Sequence, residues 1–259
     1  VNVTPDSFSA GGRFADHRAA IAHGLALRAA GADVLDIGGE STRPGAEAVG
    51  LAAELDRVIP VIEGLVQTGA RLSIDTMKPA VAEAAFAAGA TLWNDVSGFR
   101  DEANLEIAVR LKAPVAVMHM QGEPRTMQQS PVYQDVVGEV GDFLAAQVSV
   151  LSTRGVAEIW VDPGIGFGKT VAHNLALIRA IPALMAKTGR PLLFGASRKS
   201  MIQKLDQSNP GPDARLGGSL ALALYAAQAG ADMVRVHDVA ETVQALTVWR
   251  AIADSHDAR

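Results

Sequence analysis

Ala30-Gly31-Ala32-Asp33-Val34-Leu35-Asp36-Ile37-Gly38-Gly39-Glu40-Ser41-Thr42-Arg43-Pro44 contains the whole architecture in miniature. An Ala-rich helix closes, a glycine stands where a cap is needed, a short apolar run follows, and polar side chains cluster after it. Gly just past a helix takes the left-handed conformation that ends it, and a short apolar run with β-branched members, bounded by Gly, reads as a buried strand. The joint recurs. Ala88-Gly89-Ala90-Thr91-Leu92-Trp93 and Ala229-Gly230-Ala231-Asp232-Met233-Val234 are nearly the same string, so helix and strand alternate along the chain.

Counting outward from these joints gives about eight apolar runs: a stub at Val1, then runs near Val34, Leu72, Leu92, Val115, Ile159, Leu192 and Val234. An eight-fold βα count predicts an α/β fold of the closed (β/α)8 or TIM-barrel kind, as a single domain over residues 1–259. An open doubly wound sheet usually places a Gly-rich phosphate turn after its first strand. Pro5-Asp6-Ser7-Phe8-Ser9-Ala10-Gly11-Gly12 is not of that form. Val1-Asn2-Val3-Thr4-Pro5 lacks an initiator Met and reads as the end of a strand, so the first strand is expected to be truncated. The loops after the first two strands are long and Gly-rich, as covers over a site would be.

Composition narrows the chemistry. Hydrophobic residues make up 49% of the chain but aromatic ones only 5%, which predicts Ala/Val/Leu/Ile packing of helices on a sheet. No apolar run approaches the roughly 18 residues of a membrane span, and the reading is a soluble, cytoplasmic chain. With no cysteine, disulfides, thiolate zinc sites and cysteine nucleophiles are excluded. A net charge of −5 argues against a broad nucleic-acid surface. Local basic clusters within such a chain suggest a small anion instead.

Two carboxylates close apolar runs, Asp75 after Leu72-Ser73-Ile74 and Asp162 after Ile159-Trp160-Val161, while Asn94 closes a third. Carboxylates beside an amide suit a heterocycle edge with adjacent N–H and NH2 donors, as guanine-like and pterin rings present. An Asp at a strand end also caps the following helix well, so both readings stay open. Asp162 precedes Pro163-Gly164 and a loop, which moves it toward a ligand. Arg43, Arg198, Lys199, Arg235 and His237 follow the runs near Val34, Leu192 and Val234. Because the first and last strands of a barrel are neighbours, these cations are expected to meet Asn2 around a phosphate or diphosphate. Magnesium, which keeps few protein ligands, fits beside Asn2 and a diphosphate oxygen.

Gly164-Ile165-Gly166-Phe167-Gly168-Lys169-Thr170 imitates a nucleotide-binding loop, but the P-loop pattern needs Gly where Pro163 stands. Its glycines are expected instead to let the backbone approach a flat ligand, with Phe167 available to stack. His119, between Met118 and Met120, reads as structural, because no second ligand stands at the spacing of a zinc site. No Ser-His-Asp order or nucleophile elbow is present.

Taken together, NVTPDSFSAGG (from Asn2), DIGGESTRPGA (from Asp36), SIDTMKP (from Ser73), WNDVSG (from Trp93), MHMQGEP (from Met118), DPGIGFGK (from Asp162), GASRKS (from Gly195) and RVHD (from Arg235) resemble the dihydropteroate synthase family of pterin-binding enzymes, in that family's order and over the whole chain. The resemblance implies a transferase of folate biosynthesis that condenses 6-hydroxymethyl-7,8-dihydropterin diphosphate with 4-aminobenzoate, uses Mg2+, forms a homodimer and is a target of sulfonamides. It also implies site residues. Asp75, Asn94, Asp162 and Lys199 would form the pterin pocket, lined by Met118 and Phe167, with Gly195 close by; Asn2, Thr42, Arg43, Arg235 and His237 would hold diphosphate and magnesium. Phe8, Thr42, Pro44, Lys199 and Ser200 would hold 4-aminobenzoate. Asp75, Asp162, Lys199, Arg235 and His237 are the residues expected to act in catalysis. Two other readings remain: a catalytically silent pterin-binding paralogue, and a barrel like the methyltetrahydrofolate-corrinoid methyltransferases. The latter would have no need of Ser197-Arg198-Lys199-Ser200 or of the Arg43 loop.

Overall fold

The three helix–glycine–strand joints form as their composition requires. Gly31, Gly89 and Gly230 stand at φ of 103°, 116° and 96°, a backbone region that side chains disfavour, and each releases the chain from a helix into a strand. In the computed structural model, which describes residues 1–3, 13–42, 45–206, 208 and 211–254, the alternation runs α1 (Arg13–Ala29), β1 (Val34–Gly38), α2 (Leu51–Leu65), β2 (Arg71–Asp75), α3 (Pro79–Ala87), β3 (Leu92–Asp95), α4 (Glu102–Leu111) and β4 (Val115–Met118). It continues through α5 (Val136–Thr153), β5 (Ile159–Asp162), α6 (Val171–Arg179), α7 (Ile181–Thr188), β6 (Leu193–Phe194), α8 (Ser200–Leu205), α9 (Leu216–Gln228), β7 (Met233–Val234) and α10 (Val239–Asp254). Each expected apolar run after the stub becomes one of these seven strands.

All pairings are parallel and follow chain order. Strands β1 to β5 form one sheet and β6 pairs with β7. A single bridge, Val161 to Leu192, joins β5 to β6, and Asn2 bridges Gly38 so that the N-terminal stub lies beside β1. This is the sequential parallel order of a (β/α)8 barrel, eight segments counting the stub. Among the described residues no backbone ladder joins β7 to the stub. A side chain crosses instead: Arg235, just past β7, reaches Asp36 on β1 at 2.6 Å.

Register decides which polar residues share a level. Asp36 lies opposite Ser73, Asp75 opposite Asn94, and Met118 opposite Asp162. Below that level the wall is apolar, and β3 and β4 are buried along their whole length, as parallel strands covered by helices must be. Trp93 meets Phe99 edge to face at 4.9 Å, and its indole Nε1 donates to the Thr76 carbonyl at 2.8 Å, which ties the end of β2 to β3 while satisfying a buried donor. Among the described residues no helix is long and apolar enough to cross a membrane.

Candidate active site

At the C-terminal ends of β1, β2 and β3 a cation sits between two acids. Arg235 donates through Nε to Asp36 Oδ2 at 2.6 Å and through a terminal nitrogen to Asp75 Oδ2 at 2.8 Å, while Asn94 Nδ2 donates to the same Asp36 oxygen at 3.2 Å. A buried charge needs such partners. Burial pushes the Asp75 carboxyl up to about 7, with the charge of Asp36 adding to the rise and Arg235 opposing it. Burial opposes ionisation of Asp36 too, but there Arg235 wins and the carboxyl lies below its ordinary range. One arginine between two buried acids thus favours one full anion and one acid that titrates near neutrality.

Asp75 is not a helix cap. The residue at the N-cap of α3 is Lys78, with no side-chain cap bond, whereas Asp101 and Asp135 do cap α4 and α5. Asp95, beside Asn94, accepts from Ser97, Phe99 and Asn104 and shapes the turn after β3, which leaves Asn94 as the polar group of that strand facing the acids.

At the end of β5, Asp162 is 6% exposed and accepts from the Gly164 amide at 2.7 Å. Burial raises its pKa, with Lys199 pulling the other way; burial lowers Lys199 to about 8, against the attraction of Asp162. The Lys199 ammonium lies 4.2 Å from the centre of the Phe167 ring and donates to the Ile165 carbonyl. Gly195 stands where a Cβ would come 3.7 Å from Asp162 Oδ2 and 3.8 Å from Arg235 Cβ, between the ends of β5 and β7. Met118 packs with Val96, Met120 and Met127 in a small sulfur-rich cluster that Phe167 covers.

Among the described residues the expected cations gather in part. Arg198 is committed to Asp238 and Asp213, Lys199 leans toward Phe167, and Arg235 is held by the two acids. What does come together is a cavity of about 520 Å³ between β1 and β7, whose walls include Asn2, Asp36, Arg198, Arg235 and His237. His237 is positioned by Ser197, whose Oγ lies 3.0 Å from its Nδ1. Thr42 is half-buried after β1, and Ser200 is exposed at the start of α8. Phe8, Arg43 and Pro44 lie outside the described residues. Among the described residues no group of three or more His, Cys, Asp or Glu is placed to hold a metal ion.

One expectation needs correcting. The glycines of the 164–168 turn do not open the backbone to a flat ligand: a Cβ on Gly164 would lie 1.9 Å from the His119 carbonyl, and one on Gly168 2.5 Å from that of Gln121. They let the turn pack against the chain that follows β4, and Phe167 stacks on a lysine. Sequence reading also missed Asp36, although an acid within Val34-Leu35-Asp36-Ile37 signals a buried charge in search of a partner. It missed a second network as well. Lys78 donates to Glu40 and to the fully buried Glu54 at 2.5 Å each, and Glu40 accepts from the Val49 amide at 3.0 Å, so the two ends of the segment carrying Thr42 are drawn together over β2.

A model of the family described as pterin binding enzyme matches residues 1–237, and the dihydropteroate synthase of Neisseria meningitidis serogroup C is 47% identical over 257 residues, 97% of this chain and 90% of that protein. The chain belongs to the pterin-binding enzyme family, among the dihydropteroate synthases. Solved structures agree over almost the full length. A Xanthomonas albilineans dihydropteroate synthase with 4-aminobenzoic acid is 50% identical with a TM-score of 0.91, over 98% of this chain and 91% of that one. The same organism's enzyme in complex with 7,8-dihydropteroate is 48% identical with a TM-score of 0.88, again over 98% and 91%. This membership agrees with the barrel order of the strands and with the placement of the polar site at their C-terminal ends.

Proposed function

We propose that this site joins 6-hydroxymethyl-7,8-dihydropterin diphosphate to 4-aminobenzoate, giving 7,8-dihydropteroate and pyrophosphate. The observation that carries the reading is the set of polar groups at the strand ends: the buried Asp162, attracted to Lys199, whose ammonium lies over the Phe167 ring, and Asn94 and Asp75 gathered around Asp36 and Arg235. A buried carboxylate with a nearby ammonium suits a ring edge of N–H and NH2 donors, and Asp75 and Asn94 supply the remaining polar wall.

In the transfer, the bond between the pterin methylene carbon and the diphosphate oxygen breaks with its electron pair going to oxygen, and the amine nitrogen of 4-aminobenzoate forms the new bond and loses a proton. Negative charge grows on the leaving group. Arg235 and His237, together with Thr42 and Arg43 from the segment after β1, are the groups to stabilise it. Asp162 offsets the positive charge that develops on the ring side. The amine is a nucleophile without help, so no strong base is required. Asn2 offers one neutral oxygen at the cavity wall, a donor set that fits a Mg2+ carried in by the diphosphate and held mainly by phosphate oxygens and water; bound there, the ion would neutralise the leaving pyrophosphate. Lys199, Ser200, Thr42, Pro44 and Phe8 are assigned to the aminobenzoate, with Ser200 meeting its carboxylate. A homodimer, through helices on the outside of the barrel, is part of the same proposal.

Incorporation of labelled 4-aminobenzoate into dihydropteroate, with Mg2+ and the pterin diphosphate, tests the reading. The chain should form product and Asp162→Asn should lose roughly a hundredfold, the scale of hydrogen bonds to a buried charge. A folded chain that makes no product, or an Asp162→Asn variant as active as its parent, overturns it.

A further inference from the structure

Two residues of the sequence have no part in that chemistry: Lys169, in the string that imitates a nucleotide loop, and His119. The fold brings them together. The ammonium of Lys169 lies 2.9 Å from the Phe167 carbonyl, 3.0 Å from the Gly164 carbonyl, 3.2 Å from the His119 carbonyl and 3.0 Å from His119 Nδ1. Lys169 is 3% exposed. Its four contacts are all neutral acceptors, three of them main-chain carbonyls, because the His119 ring is held uncharged by burial and by Lys169 itself, which push it down to about 3.

We propose that Lys169 is a positioning residue for the pterin pocket: its ammonium gathers the Gly164, Phe167 and His119 carbonyls to one buried point and thereby turns the Ile165 carbonyl and the Phe167 ring outward to hold Lys199. The successive carbonyls of this turn divide between partners. Those of Gly164 and Phe167 point to Lys169, that of Ile165 accepts from Lys199, and that of Gly166 accepts from Gln128. The same turn begins at Asp162, which accepts from the Gly164 amide. A buried amine, lowered by burial to about 7 against the attraction of Asp162, therefore ties the turn that begins at Asp162 to the groups that hold Lys199. An uncharged side chain of similar length would fill the volume but remove the donor from the His119 and Phe167 carbonyls, leaving the Gly164 carbonyl only the Phe167 amide, and buried polar groups without partners rearrange to find them.

The inference rests on the reading of Asp162 and Lys199 as a pocket for a pterin-like ring, and its test separates the two. Calorimetric binding of 6-chloroguanine, a guanine-like probe, to the full chain tests the pocket. Hydrogen exchange of the amides at 164–168, with no ligand present, tests Lys169 directly. In Lys169→Met the exchange of that segment should quicken at least tenfold while the amides of β1 to β4 keep their rates, and the affinity for 6-chloroguanine should fall at least tenfold. In a double-mutant cycle with Phe167→Ala the two losses should overlap rather than multiply, because both act through one turn. Lys169→Gln, which keeps a donor, covers the case in which the methionine variant does not fold, and should fall between the two.

Exchange that quickens throughout the chain, or a segment 164–168 that does not change, overturns the proposal whatever the ligand does. So does unchanged affinity in a variant whose segment has loosened. A parent chain that fails to bind the probe would count against the pterin pocket, and the exchange result would still decide whether Lys169 holds the turn.

Discussion

Along β1 to β5 the polar side chains at the strand ends are sheltered and bonded to one another across the sheet, Asn94 to Asp36 and both Asp36 and Asp75 to Arg235. Beyond β6 and β7 the bonds run between the two loops and nearer the surface: Ser197 to His237, Arg198 to Asp238 and to the exposed Asp213, while Ser200 is exposed. The strands differ in the same sense. Those of the first group run four or five residues in unbroken register, while β6 and β7 have two residues each. Long paired strands hold their ends where packing dictates, so charge can be buried there with its partner already aligned. Short strands leave the two loops that follow to bond each other nearer the surface, apart from Arg235, which reaches the acids of β1 and β2.

The sharpest way to break this contrast is to disturb the packed half. Gly164→Ala places a methyl 1.9 Å from the His119 carbonyl at a φ of 67°, and should destabilise the chain by about 4 kcal/mol in denaturant unfolding. Gly45 also has a positive φ, 81°, but nothing lies within 4 Å of its absent Cβ, so Gly45→Ala should cost only about 1 kcal/mol. Equal costs would mean that backbone conformation, not close packing, dominates at both sites.

Next in size is a pH effect. With its folded value raised to about 7, Asp75 binds a proton in the native chain over a range where the unfolded chain has lost it, so stability falls as pH rises from about 4 to 7. Asp75→Asn carries no such proton. Parent minus variant stability should therefore be greatest at low pH and shrink by on the order of 2 kcal/mol by pH 7, less than an isolated acid would show because Asp36 and Arg235 share the titration. Thermal melts of both chains across that range would reveal it, and a gap that widens with pH would reverse the assignment of the neutral acid. The same titration predicts that affinity for a ring read by ionised Asp75 rises as pH passes about 7.

Smallest is the effect expected in the exposed half. Arg198→Ala removes ion pairs to a half-buried Asp238 and a nearly fully exposed Asp213, and should cost about 1 kcal/mol, less in high salt. Because those carboxylates already occupy the guanidinium, pyrophosphate affinity should fall by less than threefold in the variant, measured by product inhibition. A loss as large as that of Arg235→Ala would place Arg198 back among the anion ligands.

Much of the fold was legible because its signals are local. The glycine joints and apolar runs mark every strand, and the resemblance named Asp75, Asn94 and Asp162, each of which stands at a strand end. Less legible were partners chosen at long range. Arg198 and Arg235 look alike in sequence, each a basic residue after a short apolar run, yet one belongs to surface acids and the other to buried ones. The glycines of the 164–168 turn announce an unusual backbone, but not which neighbour makes it necessary.

The sequence by itself determined the alternation of helix and strand and the residues that stand at the strand ends, because capping, side-chain period and backbone freedom act over a few residues. Only the tertiary structure decided which charges meet. Asp36 and Arg235 are separated by 199 positions, and Lys169 finds His119 across 50; such pairs exist only once parallel register and the curl of the sheet have brought distant strand ends to one level. Packing sets those distances, and burial then fixes which groups keep their charge.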